Sequence, residues 1–163
     1  MTIIISAIKI IFLLGFLILS VIVFIFSMSL KNAQTSAKDS SRVLAFFNSL
    51  LRTLGVDLVL PHEFIRSLAH FLEFGLLSCL SYCFLITYSI NPGLRFLLSL
   101  GFTSIIAVSD EILQLFSDGR AFQFTDILTD ISGGFAGIIF AYLIYMIVSF
   151  VLKRKSKKEL HNV

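Results

Sequence analysis

Residues 10–30 form an apolar run of 21 residues that no charge interrupts, long enough as a helix to cross a hydrocarbon core of about 30 Å. Lys9 marks its start. The run outlasts the apolar core of a cleaved secretory signal, so an uncleaved anchor is expected. At 31–41 the pattern gives way to KNAQTSAKDSS, which reads as a polar loop without period. Helical spacing returns in Val43, Leu44, Phe47, Leu50, Leu51 and Leu54, with Arg42, Asn48, Ser49, Arg52 and Thr53 between them. That alternation predicts an amphipathic helix over 42–54, stopped near Gly55. It is too short and too polar to span, so it is expected either in the membrane interface or as a cap on the bundle.

Pro61 is placed to open a helix, with Glu63 in the first turn. A second span is expected over 64–90, ended by the turn signal Asn91-Pro92-Gly93. The third span is expected over 94–116, broken at Ser117-Asp118-Gly119, and the fourth over 125–152, with Thr125 as its N-cap. A basic tail fills 153–163. The expected fold is therefore an all-α integral membrane protein: four transmembrane helices plus one extracytoplasmic interfacial amphipathic helix, in a single membrane domain covering 1–163.

Composition agrees, since 57% of the 163 residues are apolar and 14% are charged, with a mean hydropathy of +0.96. A soluble domain of this size has too little interior to hide so much apolar surface. The net charge of +3 collects in Lys153, Arg154, Lys155, Lys157 and Lys158. Directly after the last span, these place the C-terminus on the cytoplasmic side, and four spans return the N-terminus to the same side. Lys31, Lys38, Arg42 and Arg52 dilute that bias. No nucleic-acid-binding motif is visible. Cys79 and Cys83 lie one turn apart in an apolar run and read as packing residues.

The candidate chemistry concentrates in 109–137. Asp110, Glu111 and Gln114 stand at the end of the third span, Arg120 in the loop, and Asp126 and Asp130 at the start of the fourth. Arg66, His70 and Glu73 share one face near the start of the second. With alternating span directions, His70 lies about 9 Å inside its end, and Glu111 and Asp130 about 8 Å inside theirs. Three helices are expected to bring ionisable groups to one depth on the extracytoplasmic side. Gly133, Gly134 and Gly137 supply a G-x-x-x-G pattern that lets helices approach closely. The inner half of every span reads as apolar.

Five carboxylates, Glu73, Asp110, Glu111, Asp126 and Asp130, face Arg66, Arg120 and His70, an excess that is costly in a low dielectric. Three readings are open. In a structural network, Arg66 and Arg120 pair with Asp110 and Glu111, while Asp126 sits at a helix N-terminus. In a ligand site, Arg66, His70, Gln114, Arg120, Asp126 and Asp130 bind the head of a membrane lipid or a lipid-linked cell-wall precursor. In a catalytic site, the candidates are His70, Glu73, Asp110 and Glu111, with Asp110, Glu111 and Asp126 as candidate ligands for a divalent cation. The sequence requires no cofactor, and motifs such as H-E-x-x-H, G-x-S-x-G and the P-loop are absent.

The combination of R-x-x-x-H-F-x-x-F-x-x-L at 66–77, S-D-E-x-x-Q-x-F at 109–116, Gly119-Arg120, and D-x-x-x-D-x-x-G-x-x-x-G at 126–137 resembles the VanZ-like membrane proteins over essentially the whole chain. The resemblance implies a small four-span protein of the bacterial cytoplasmic membrane, with a role in envelope physiology and tolerance of the glycopeptide teicoplanin. Two departures stand out. Asp118 replaces a frequent proline, and Asp130 replaces a frequent asparagine, which adds a carboxylate to an already acidic site.

Overall fold

The computed structural model describes the backbone of residues 2–161 and the side chains of residues 5–155. Five helices follow one another: α1 (Thr2–Ser29), α2 (Ala33–Thr53), α3 (His62–Ile86), α4 (Pro92–Gln114) and α5 (Phe124–His161). Among the described residues, α1, α3, α4 and α5 are each long and apolar enough to cross a membrane, and α2 is not. The all-α membrane architecture read from the sequence is present.

The bundle is built around α3, which packs on α5 above all and also meets α1, α4 and α2. Ile25, Phe74, Leu77 and Ala107 form one core cluster, and Tyr82, Ile138 and Ala141 a second. The outward faces carry large apolar side chains such as Phe12, Phe16, Leu97 and Phe140, as lipid contact requires. Lipid gives apolar helices little reason to prefer one another, so close approach of small residues has to hold the bundle. The α3–α5 contact shows this directly. A Cβ on Gly133 would lie 2.1 Å from the Phe71 carbonyl oxygen, and one on Gly137 would lie 2.0 Å from that of Gly75. Gly134 faces α4, where its Cβ would come within 2.9 Å of Thr103 Cγ2.

The boundaries differ from the sequence expectation in ways that have local causes. Lys9 does not mark the start of α1, which already runs from Thr2; a lysine interrupts hydrophobicity but is a good helix former. The expected loop at 31–41 is mostly helix, because α2 begins at Ala33. Asn32 caps it by accepting the Thr35 N–H at 2.8 Å, and the Ala33 N–H donates to the Asp118 carbonyl at 3.0 Å. Capping thus starts the helix nine residues before its apolar periodicity begins. Gly55, at φ 75°, ends it as expected.

Pro61 takes the extended N-cap position of α3 rather than its first turn. Asn91-Pro92-Gly93 does not terminate the second span, since α3 has already ended at Ile86. It opens α4 instead, with the Asn91 side chain accepting the Leu94 N–H at 2.8 Å and Pro92 in the first turn. Thr125 is not an N-cap, because α5 already includes Phe124. The tail expected after 152 continues α5 to His161, about 57 Å of helix against a hydrocarbon core of about 30 Å. The side chains of Lys157 and Lys158 lie outside the described residues.

The interior away from the charged cluster is not wholly apolar either. Ser78, Ser81, Ser99 and Thr103 are buried there. Ser78 and Thr103 hydroxyls bond across α3 and α4 at 2.6 Å, and Ser81 returns its proton to the Leu77 carbonyl. Hydroxyls can be absorbed by the backbone in this way, so they leave little trace in a hydropathy pattern.

Candidate functional site

Helices α3 and α5 run parallel in one register, so residues four apart on each become rungs of a ladder. Arg66 forms an ion pair with Asp126, and one turn deeper the His70 Nδ1 meets Asp130 Oδ1 at 3.0 Å. The next contacts in the same direction are the glycine approaches at Phe71 and Gly75. The small residues thus set the separation at which the charged rungs close. Asp126 also sits in the first turn of α5, where the helix dipole favours a negative charge. The His70 ring lies parallel to that of Phe74, 3° between planes at 6.5 Å, which fixes its orientation.

The end of α4 supplies the other wall, with Asp110, Glu111 and Gln114 all buried. Asp110 accepts the Ser29 hydroxyl from α1 through one oxygen and the Gln114 amide at 3.1 Å through the other. Glu111 Oε2 accepts the Gln123 N–H at 2.7 Å, so this carboxylate anchors the loop that enters α5. Gly119 provides the left-handed turn in that loop, at φ 76°. Beyond it, Arg120 reaches across to α2 and donates to Ser36 Oγ at 2.7 Å.

Several expected pairings are therefore replaced. Arg66 and Arg120 do not pair with Asp110 and Glu111. Arg66 goes to Asp126, because the two face each other across α3 and α5. Hydroxyl, amide and backbone donors serve the α4 carboxylates instead. Of the candidate metal ligands, Asp110 joins His70 and Asp130 in a group whose donor atoms lie within 4.8 Å of one another. Glu111 and Asp126 are outside that group, each drawn away by its own partner. Glu73 lines the adjoining cavity together with His70, Asp110, Arg66 and Arg120.

Arg120 differs from Arg66 in having no carboxylate within ion-pair distance among the described residues. Burial foremost, and then the neighbouring Arg66 charge, push its pKa below the ordinary value. A guanidinium nevertheless stays charged. It lines a cavity of about 440 Å³ bounded by α2, α3, α5 and the α4–α5 loop, and a second, smaller space of about 90 Å³ that reaches His70 and Asp110. Among the described residues, three buried acceptor oxygens of the site, Asp130 Oδ2, Glu111 Oε1 and Gln114 Oε1, have no hydrogen-bond partner. The site is rich in acceptors and short of donors.

The VanZ/LLP1 family model matches residues 12–147. The chain belongs to the VanZ-like family. It is a VanZ-like membrane protein, and the family is one linked to glycopeptide resistance. The matched span takes in all the groups that build the site, from Ser29 on α1 to Asp130 on α5. No curated protein and no solved structure matches the chain.

Within this VanZ-like framework, some contributors carry no sequence signal of their own. Ser29 and Ser36 supply donors, and Ser40 lines both cavities. Ser29 was detectable in principle, since it lies four residues after Ile25, also fully enclosed, on the inward face of α1. The Gln123 N–H is a backbone group and leaves no sequence mark at all.

Proposed function

We propose that this VanZ-like protein recognises the anionic head of an envelope lipid or lipid-linked cell-wall precursor, and by doing so contributes to teicoplanin tolerance in bacteria. The observation that carries the reading is Arg120: a half-buried guanidinium on a cavity, held among the described residues by one serine hydroxyl and by no carboxylate. A guanidinium so placed offers paired donors to a phosphate or carboxylate. Ser36 and Ser40 of α2 border the same cavity and would close over a bound head. The basic C-terminal end of α5 supports an orientation with both termini in the cytoplasm and the cavity at the outer leaflet, where such precursors are used. Mass spectrometry of lipids that co-purify with the protein tests this. Arg120→Ala should lose the retained anionic lipid, and an unchanged lipid profile would remove the anchor of the reading.

A second reading is favoured by one specific contact. His70 is held through Nδ1 by the buried Asp130, and its ring lines the cavity with no hydrogen bond at Nε2 among the described residues. That arrangement suits a general base in a membrane-embedded hydrolase or transferase. Incubation with radiolabelled lipid extracts separates the two readings, since a binder returns the lipid unaltered and an enzyme does not.

A further inference from the structure

The cluster beside the smaller cavity has a property that neither reading requires. His70, Asp110 and Asp130 come from three different helices, yet each offers a donor atom within 4.8 Å of the other two. The His70 Nδ1 to Asp130 Oδ1 distance is 3.0 Å, which matches the spacing of two adjacent ligands on one ion with bonds of about 2.1 Å. Opposite ligands on such an ion stand about 4.2 Å apart, so a pair at the full 4.8 Å would have about 0.6 Å to close.

The surroundings are those of a prepared coordination shell. Asp110 is oriented by the Ser29 hydroxyl and the Gln114 amide, and each of its oxygens keeps a second lone pair. The stacked Phe74 holds the imidazole plane. Such outer contacts are what fix metal ligands in place. Independently, the fully buried Asp130 leaves Oδ2 without a donor among the described residues, and Glu111 Oε1 and Gln114 Oε1 at the end of α4 are orphan acceptors too. Arg66 is already paired with Asp126, and Arg120, bonded to Ser36, forms no ion pair with these carboxylates among the described residues. The missing component is a cation. Glu73 borders the adjoining cavity, where it and water would complete the shell.

We propose that His70, Asp110 and Asp130 bind one divalent metal ion of the manganese or zinc type. One imidazole nitrogen with two carboxylates suits these ions, whereas calcium prefers an all-oxygen shell. The site stands without the lipid reading. Where both hold, Arg120 lines both the larger cavity and the smaller one beside the metal, and a phosphate on its guanidinium would lie toward the ion.

The test uses the full chain in detergent, stripped with chelator, desalted and titrated with Mn²⁺ while free Mn²⁺ is followed by electron paramagnetic resonance. The expected result is one Mn²⁺ per chain, displaced by Zn²⁺, with nitrogen coupling in the electron spin echo from His70. His70→Gln and Asp130→Asn should each weaken binding at least tenfold, on the order seen when metal-site groups are changed. Glu111→Gln and Asp126→Asn should leave the ion in place. Because ligand variants in a buried cluster can fail to fold, the wild-type titration decides alone: no stoichiometric binding below about 1 mM, or binding without nitrogen coupling, overturns the proposal. So does equal loss in all four variants, which marks a diffuse acidic attraction. Arg120→Ala should retain Mn²⁺. Lipid loss there with metal binding intact in the wild type leaves this site standing, and lipid retention with no metal in the wild type sinks this site alone.

Discussion

Substituting Gly133 by alanine puts the α3–α5 ladder to its most direct test. The added Cβ would lie 2.1 Å from the Phe71 carbonyl oxygen and 2.8 Å from its carbon, both backbone atoms that cannot swing aside. Reaching ordinary contact at 3.4 Å requires the helices to part locally by about 1.3 Å. His70 and Asp130 are neighbours of this contact, so their 3.0 Å bond would stretch beyond hydrogen-bonding range. Strain and lost packing cost about 1–3 kcal/mol, and stranding a buried polar pair adds about 1–3 kcal/mol more. A loss of about 3 kcal/mol corresponds to a fall of about 10 °C in Tm for a chain of this size. The assay is thermal unfolding in detergent beside Gly15→Ala and Gly101→Ala, where an added Cβ meets nothing within 4 Å. Those two should match or exceed wild type, because alanine is the better helix former by about 1 kcal/mol. If Gly133→Ala melts with the two controls, the close backbone contact does not exist, and the register argued for the charged rungs falls with it.

The remaining expectations concern α2 and α4. Asn32→Ala removes the α2 cap and should cost about 1 kcal/mol; since α2 buries no residue, faster amide exchange confined to α2 should reveal it, and uniform exchange across the chain would contradict it. The Lys31 hydrogen bond, followed by its charge, holds the Asp39 carboxyl below the ordinary carboxylate range. A depressed folded pKa contributes stability above the unfolded value and loses it as pH falls through the folded one. α2 protection should therefore hold down to about pH 4 and decline below it, and Lys31→Gln should flatten that decline. Glu111→Gln keeps an acceptor for the Gln123 N–H but replaces a charged hydrogen bond with a neutral one, a loss of about 1 kcal/mol. In a teicoplanin-sensitive strain at matched membrane abundance, it should protect less than wild type, and equal protection would make that charge dispensable.

What the sequence disclosed, and what it hid, follows from how each group signals itself. Four spans were legible because a bilayer demands long apolar segments. His70, Glu111 and Asp130 could be set at one depth, though His70 was not matched to Asp130, because helix rise converts residue number into distance. Helix ends were harder. The start of α2 depends on one asparagine cap in a segment whose serines and lysines have no apolar period. The opening of α4 at Asn91 uses the same residues that announce a turn. Pairing was hardest, because charge counting matches arginines to any nearby carboxylate, whereas rotation about each helix axis decides which one they meet.

The partners of the α4 carboxylates show why that matters for function. Asp110 and Glu111 look from their charge as though they need arginines, yet they are met by a hydroxyl, an amide and a backbone N–H. Neutral donors satisfy a buried oxygen without cancelling its charge. The cationic side chains are thereby left to other tasks: Arg66 closes the outer rung with Asp126, and Arg120 stands on the cavity with only Ser36. The same substitution of neutral donors for cations leaves negative charge uncompensated around His70, Asp110 and Asp130. One arrangement thus accounts for both halves of the site, a guanidinium open to an anion and an acidic group of ligands open to a cation. Arg120 and Asp110 line the same smaller cavity without pairing, which leaves each with room for a ligand of opposite charge.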